Sequence, residues 1–404
     1  MNIVITPSKL AGIVAIPASK SVAHRLLICA ALADGPTRVV IGQTNRDIDA
    51  TADCLRALGA SIERQGDGFL VAPIQNASAH AELDCGESGS TLRFLLPVAA
   101  ALGRPTRFTG HGRLPQRPNA PLVSALRAHG AAIDADLLPM NVAGPLTCGR
   151  WALPGNVSSQ YITGLLFALP LLDGDSEITL TTKLESAAYV DLTLDALRRF
   201  GISVQPTESG WRIPGGQRYH SPGKIAVEGD WSSAAFWLAA NALGADIKVE
   251  GLREDSVQGD RAVARLLDRA SIDVSNVPDL VPALAVAAVA LPQTTVVTGA
   301  ERLRLKESDR LATVAALLEA LGHGVEVTAD GLVIRGGAPR PCAEAIRTVD
   351  GANDHRIVMA AAVAAASADR PVRVTGAEAV EKSYPDFFRD FRALGGKADV
   401  EHVG

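Results

Sequence analysis

One phrase recurs six times along this chain, and no other feature narrows the possible folds as far. Each copy reads as an amphipathic helix ending in Gly, followed at once by a short strand of alternating apolar residues. The copies are CLRALGASIERQGDGFLVA from Cys54, SALRAHGAAIDA from Ser124, DALRRFGISVQPTESGWRI from Asp195, RLLDRASIDVS from Arg265, LLEALGHGVEVTADGLVIRG from Leu317 and DFRALGGKADVE from Asp390. Gly59, Gly130, Gly201, Gly322 and Gly395 take the helix-ending position, with Arg269 in the fourth copy, at intervals of 71, 71, 68, 53 and 73 residues. Glycine there enters the left-handed conformation that stops a helix without steric cost, so a strand can begin in the next residue.

A second phrase runs in step with the first. It is a polar start followed by a helix rich in Ala and Leu, near Ser21 (SVAHRLLICAAL), Ser90 (STLRFLLPVAAAL), Ser159 (SQYITGLLFALPLL), Ser233 (SAAFWLAANAL), Asp279 (DLVPALAVAAVAL) and Asp354 (DHRIVMAAAVAAA). Ser and Asp are expected as N-caps. Helices apolar nearly all round belong inside a protein, not on its surface. Each unit is therefore expected to hold one buried helix, one amphipathic helix and several short strands. Six such units form one ring or two groups of three, and repetition alone suits a scaffold as well as an enzyme.

Composition removes several functions. The 404 residues carry 39 Lys and Arg against 44 Asp and Glu, a net charge of −5, with only 4% aromatic residues. Nucleic-acid binding wants a basic face and stacking platforms, so it is not expected. Cys29, Cys54, Cys85, Cys148 and Cys342 are odd in number, far apart in sequence and never in a CxxC pair. Neither a disulfide framework nor a zinc site is indicated. The apolar runs Leu280 to Leu291 and Ile357 to Ala366 fall short of the ~20 residues that span a membrane. The opening MNIVITPSKLAGIVAIPASK lacks the order of a secretory leader. The expectation is a cytoplasmic protein that binds no nucleic acid and no membrane.

The basic residues then point away from a scaffold, because they gather where the apolar helices begin. IPASKSVAHR places Lys20, Ser21 and Arg25 around the first start. GESGSTLRFL offers Gly86, Ser88, Gly89, Ser90 and Thr91 at the second, with Arg93 one turn in. NVSSQYIT brings Ser158, Ser159 and Gln160 to the third, and GANDHRIVMA brings Arg356 to the sixth. Unpaired backbone N–H groups and the helix dipole already favour an anion at such places. RLRLKESDRL adds Lys306, Glu307, Asp309 and Arg310, where Lys306 and Arg310 would share a helical face, ahead of an apolar stripe of Leu311, Val314, Ala315, Leu318 and Leu321. EKSYPDFFRDF sets Lys382 ahead of a Pro-started helix. No GxxxxGK[ST] occurs, since Gly223-Lys224 is followed by Ile225, so a P-loop kinase is not indicated.

Taken in order, these blocks resemble the 5-enolpyruvylshikimate-3-phosphate synthase family. IPASKSVAHR is similar to the family's opening motif, GESGSTLRFL to its glycine loop, and LPQRP to the segment with an Arg for phosphoenolpyruvate. NVSSQ, ESAAYVD, VEGDWSSAA, VPDLVP, RLKESDRL, NDHR and EKSYPDFF also have counterparts. The resemblance implies an inside-out α/β (α+β) fold of two domains, each of three βαβαββ repeats with buried helices and outer sheets. The implied domains are residues 19 to 228, and residues 1 to 18 with 229 to 404, with the active site in the cleft between them. It implies transfer of the enolpyruvyl group of phosphoenolpyruvate to the 5-hydroxyl of shikimate 3-phosphate by addition and elimination, in a monomer, without metal or cofactor.

Roles follow from the resemblance position by position. Lys20, Ser21, Arg25, Ser158, Ser159, Gln160, Ser186, Tyr189, Asp279 and Lys306 would hold shikimate 3-phosphate. Lys20, Gly89, Arg117, Gln160, Arg310, Arg356 and Lys382 would hold phosphoenolpyruvate. Asp279, Glu307, Lys20 and Lys306 would carry the acid–base chemistry. The chain departs from the family pattern at Glu87, where Asn is usual, at Arg302, also an Asn in many relatives, and at Ala187-Ala188, which replace Lys-Pro. The sister family, UDP-N-acetylglucosamine enolpyruvyl transferase, carries a reactive Cys in the loop matching His111 to Pro118, and HGRLPQRP has none.

Overall fold

Alanine and leucine segments with no polar face form helices that other elements must cover. In the computed structural model, which describes residues 1–75, 80–341 and 343–401, these are Lys20–Leu32, Gly89–Ala101, Ser159–Ala168, Trp231–Ala242, Val281–Ala288 and His355–Ala366. All twelve residues of His355–Ala366 are buried. Cys29, Cys54 and Cys85 are buried thiols and Cys148 an exposed one, while Cys342 lies outside the described residues. No described helix is long and apolar enough to cross a membrane.

The chain packs as two compact units, Met1–Pro17 with Gly229–Gly404, and Ala18–Glu228. Within Ala18–Glu228, three four-stranded sheets surround the Lys20, Gly89 and Ser159 helices. One sheet runs Ala81–Asp84, Thr106–Thr109, Met140–Ala143, Ala132–Ile133, the first pair parallel and the others antiparallel. The parallel pair needs a crossover, and the Gly89–Ala101 helix supplies it. The same pattern repeats in Gly149–Leu153 with Ser176–Leu180, Gly210–Ile213 and Gln205–Thr207. The third sheet is Lys224–Ala226 with Thr37–Val40, Gly68–Ala72 and Ser61–Gln65. In the other unit, the pattern appears twice in full, around Thr294–Thr298 and around Val372–Thr375.

The fourth repeat is the exception. Its sheet has two strands, Ala11–Ala15 and Asp246–Glu250. Its second helix is not an α-helix but the 3-10 helix Gly259–Arg265, which corrects the expectation of an amphipathic helix in every unit. A hairpin is absent from this unit, and its absence shortens the next interval to 53 residues. Elsewhere the helix-stopping glycines behave as the pattern requires: φ is 104°, 98°, 77°, 91° and 92° at Gly59, Gly130, Gly201, Gly322 and Gly395.

The expected caps also shift. Ser21, Ser90, Ser159 and Ser233 lie inside their helices, which start after Ser19, without a side-chain cap bond, and after Ser88, Ser158 and Asp230, which do cap. A cap needs extended backbone and a side chain aimed at the N–H two or three residues on. Ser88 Oγ accepts from Thr91 N at 3.2 Å, Ser158 Oγ from Gln160 N at 3.3 Å, and Asp230 Oδ2 from Ser233 N at 3.2 Å. Asp354 caps as expected, and Asp279 does not cap at all. It sits in the 3-10 turn Pro278–Leu280, ahead of the fifth helix.

The Gly89 and Ser159 helices approach closely because Gly164 has no side chain. A Cβ there would lie 2.2 Å from Arg93 O and 2.9 Å from Pro97 Cγ. Backbone cannot yield by that much, so Gly164→Ala is expected to destabilise the fold by about 2–3 kcal/mol, read as a lower urea midpoint.

Candidate functional site

The predicted site residues fall into two clusters, one in each unit. In Ala18–Glu228, Lys20 opens its helix and its Nζ donates to Asp47 Oδ2 at 2.8 Å. Asp47, in the first turn of Arg46–Ala57, was not anticipated from the sequence. Arg25 is buried, and its guanidinium ties its own helix to the Ala187–Arg199 helix. Nη1 donates to Ser21 O at 2.7 Å, Nη2 to Tyr189 O at 2.8 Å and Nε to Thr193 Oγ1 at 2.9 Å. Burial without a carboxylate partner pulls its pKa down to about 9.

Gln160 is oriented by neighbours. Arg93 Nη1 donates to its Oε1 at 2.7 Å, and its own Nε2 donates to Ser90 Oγ at 3.0 Å. Arg93 also donates to Asn119 Oδ1 at 3.0 Å and Pro118 O at 3.2 Å, and Asn119 Nδ2 holds Arg117 O at 3.1 Å. The sequence placed Arg93 one turn into the helix but did not show that it supports the Arg117 segment. Ser158 caps the helix on which Ser159 and Gln160 stand.

Arg117 is another buried cation of this unit. It is 7% exposed, and its Nε is buried with no hydrogen-bond partner among the described residues. The guanidinium lies against the start of the Gly89 helix, with Nη1 2.8 Å from where a Cβ on Gly89 would be. A side chain at position 89 would crowd that group. A buried guanidinium without an anion is costly, and here it stands where backbone amides also favour one.

In the second unit the cations are matched. Asp279 takes Arg310 Nη1 at 2.9 Å and Lys306 Nζ at 3.4 Å on Oδ1, and Arg356 Nη2 at 3.0 Å on Oδ2. Burial alone would raise its pKa, but Arg356, Lys306 and Arg310 outweigh that and hold the carboxyl well below the usual carboxylate range. Arg310, 1% exposed, also binds Glu307 Oε2 at 2.7 Å and Asp354 Oδ2 at 2.8 Å. Burial opposes its charge, yet Asp354, Glu307 and Asp279 together raise its pKa.

Lys306 and Arg310 do not share a helical face as expected. Lys306 has extended backbone after a 3-10 turn, and the helix begins only at Arg310, capped by Asp309. Both reach Asp279 through tertiary structure instead. Lys382 is the last residue of the 3-10 helix Ala377–Lys382, and the next helix starts at Phe387, not at Pro385. Its Nζ donates to Asn353 O at 2.8 Å. The second duty of Asp354, anchoring Arg310 while capping its own helix, had no signal in the sequence.

Backbone strain marks the same places. Among the described residues, Ser186, Ala352 and Asn353 are the non-glycine residues with positive φ, at 56°, 50° and 51°. Ser186 directly precedes the helix carrying Tyr189, and Ala352-Asn353 precede Asp354 and Arg356. Such conformations cost about 1–3 kcal/mol each and persist where surrounding structure enforces them.

Asp260, which sequence reasoning missed, lies buried in this unit and accepts from Ser232 Oγ. Burial, then the charge of Asp279, push its pKa up to about 6. A carboxyl whose folded pKa exceeds its unfolded one resists ionisation, so its cost to stability grows as pH rises from about 4 to about 6 and is constant above. Asp260→Asn is therefore expected to gain in melting temperature relative to wild type between pH 4.5 and 7, followed by calorimetry across that range.

No group of three or more His, Cys, Asp or Glu residues arranged to hold a metal ion occurs among the described residues. The two clusters are instead suited to polyanions, with guanidinium forks, lysines and helix starts.

Comparison with known proteins agrees with this chemistry. The profile of the EPSP synthase (3-phosphoshikimate 1-carboxyvinyltransferase) family matches residues 4–275 and 266–391. A 3-phosphoshikimate 1-carboxyvinyltransferase of Clostridium kluyveri is 40% identical over 429 residues, covering 99% of both chains. One from Clostridium acetobutylicum is 39% identical over 432 residues and 100% of both chains. The solved EPSP synthase of Acinetobacter baumannii superposes with a TM-score of 0.82 at 26% identity, over 99% of this chain and 100% of that one. With family profile, full-length relatives and fold in agreement, the chain belongs to the EPSP synthase family.

Proposed function

We propose that this protein is a 3-phosphoshikimate 1-carboxyvinyltransferase, transferring the enolpyruvyl group of phosphoenolpyruvate to the 5-hydroxyl of shikimate 3-phosphate. The observation that carries the reading at the level of the site is Arg117, a buried guanidinium whose Nε has no partner among the described residues, packed on the glycine that opens a helix. Full-length relatives of that activity support it.

In this reading Lys20, Gly89, Arg117, Gln160, Arg310, Arg356 and Lys382 receive phosphoenolpyruvate. Arginine forks suit its carboxylate and phosphate because they donate two parallel bonds where lysine donates from a point. Lys20, Ser21, Arg25, Ser158, Ser159, Gln160, Ser186, Tyr189, Asp279 and Lys306 receive shikimate 3-phosphate. The 5-hydroxyl oxygen bonds to C2 of phosphoenolpyruvate as its proton leaves to a base and C3 gains a proton from an acid. In the second step C3 loses a proton, the C2–O bond to phosphate breaks, and the enol ether forms.

Asp279 and Lys306 are the groups assigned to the hydroxyl, and Glu307 and Lys20 to C3. Clamped by three cations, Asp279 is a weak base. An incoming anion that engages Arg310 and Arg356 competes for their donors and returns basicity to the carboxylate. The order of events is thus built into the ion pairs: anion first, proton transfer second. The protein is further proposed to act as a cytoplasmic monomer.

The test is phosphate release from phosphoenolpyruvate by the purified protein, with shikimate 3-phosphate or UDP-N-acetylglucosamine as acceptor and no metal added. Release with shikimate 3-phosphate alone is expected. Release with the sugar nucleotide alone would reassign the acceptor, and release with neither would refute the activity.

A further inference from the structure

In the Ala18–Glu228 unit a buried chain of hydrogen bonds links three helices directly behind Lys20 and Gly89. His24 Nδ1 lies 2.7 Å from Thr51 Oγ1, Thr51 Oγ1 lies 2.6 Å from Thr91 Oγ1, and Thr91 Oγ1 donates to Ser88 Oγ at 2.8 Å. His24, Thr51 and Thr91 are 0% exposed and Ser88 is 1% exposed. Buried hydroxyls arranged this way cannot trade partners with water, so the chain fixes geometry.

Its polarity follows from counting protons. Each hydroxyl has one to give. Thr91 gives its proton to Ser88, so Thr51 is the donor to Thr91, and His24 must then donate to Thr51 from Nδ1. His24 is thereby the Nδ1–H tautomer, and its Nε2 is buried with no partner among the described residues. Burial, with Lys20 and Arg25 nearby, holds the imidazole neutral.

The position of Thr51 gives the chain its significance. Lys20 and His24 are four residues apart on one helix, and Asp47 and Thr51 are four apart on the next. Residues at that spacing share a face, so the two helices are joined by two rungs one turn apart. One rung is Lys20 to Asp47 at 2.8 Å, and the other is His24 to Thr51 at 2.7 Å. From Thr51 a third link runs to Thr91 and on to Ser88, the residue that caps the helix opened by Gly89.

We propose that Thr51 is a positioning residue for phosphoenolpyruvate: through His24 and Thr91 it sets the Lys20 side chain and the Gly89 helix start in register with each other. This rests on the reading that Lys20 and Gly89 hold phosphoenolpyruvate. Thr51 touches no substrate group itself. It acts because the cation and the backbone amides that grip one small anion stand on different helices, and one buried hydroxyl keys both.

The experiment uses the full-length protein with Thr51→Val, which keeps shape and removes the hydroxyl, and Thr51→Ser, which restores it. Phosphoenolpyruvate is varied at saturating shikimate 3-phosphate, and then the reverse. Thr51→Val is expected to raise KM for phosphoenolpyruvate about tenfold and to leave KM for shikimate 3-phosphate within about twofold, while Thr51→Ser returns both close to wild type. An unchanged KM for phosphoenolpyruvate in Thr51→Val, or a Thr51→Ser variant as impaired as Thr51→Val, would overturn the proposal. Lys20→Ala, assayed in parallel, separates the two levels. If it leaves phosphoenolpyruvate binding intact the underlying site assignment falls, whereas if it abolishes binding and Thr51→Val does nothing only the positioning role falls. Should Thr51→Val fail to fold, nitrogen chemical shifts of His24 in the wild-type protein decide: protonation at Nδ1 is expected, and protonation at Nε2 would overturn the chain.

Discussion

Arg117→Ala is expected to lower kcat/KM for phosphoenolpyruvate by about 10²- to 10³-fold while leaving the melting temperature unchanged or raised. Both parts follow from one geometry. The guanidinium is buried against Gly89 and its Nε has no partner among the described residues, so in the protein alone it is a desolvated charge that opposes folding. Removing it takes away that cost and with it the fork for the substrate's anionic group. Arg117→Lys is expected to recover little, because a single ammonium cannot reproduce two parallel bonds. Steady-state kinetics beside a thermal melt checks this. A variant with wild-type kcat/KM would remove Arg117 from the site.

Asp279→Ala is expected to do the opposite to stability and the same to turnover. The carboxylate offsets Arg356, Arg310 and Lys306 at 3.0, 2.9 and 3.4 Å. Arg310 keeps Glu307 and Asp354 when it is gone, but the buried Arg356 loses the carboxylate that takes its Nη2. Breaking one side of a buried pair costs about 3 kcal/mol or more. Because the folded pKa of Asp279 is depressed, its contribution is full above the ordinary carboxylate pKa of about 3.9 and is lost as pH falls through the folded value. The stability gap between wild type and Asp279→Ala should therefore be flat at neutral pH and close under acid conditions. Urea unfolding at several pH values tests the sign, and loss of phosphate release tests the chemistry. A variant that retains turnover would exclude Asp279 as the base.

These two residues also show how differently the parts of the site could be read in advance. Arg117 was visible through the block LPQRP, which resembles a family motif, yet nothing local in that block says that the side chain is buried and without a carboxylate. Asp279 looked like another helix cap, because it opens an apolar run as Asp354 does. The chain instead makes a 3-10 turn there, and the carboxylate faces cations, not backbone amides. Lys306 and Arg310 looked like neighbours on one helix. They meet at Asp279 although Lys306 is extended, since the third partner comes from 27 residues earlier than Lys306.

The repeats were legible for a simple reason. A helix apolar all round must be buried, and this marks every copy; a glycine that ends an amphipathic helix must adopt positive φ, and this marks every copy but the fourth, which has Arg269. The broken fourth repeat was legible only as a short interval, because a missing hairpin leaves no residues to read.

By itself the sequence determined the periodic fold, the burial of six helices and the family, since these rest on local pattern and on motifs in order. Only the tertiary structure decided which cations meet carboxylates and which do not, that Asp354 binds Arg310 while capping its own helix, and that Thr51 ties the Lys20 and Gly89 helices together. Electrostatic and hydrogen-bond partners are chosen by distance in space, and residues 27 to 77 positions apart acquire that distance only when the chain has folded.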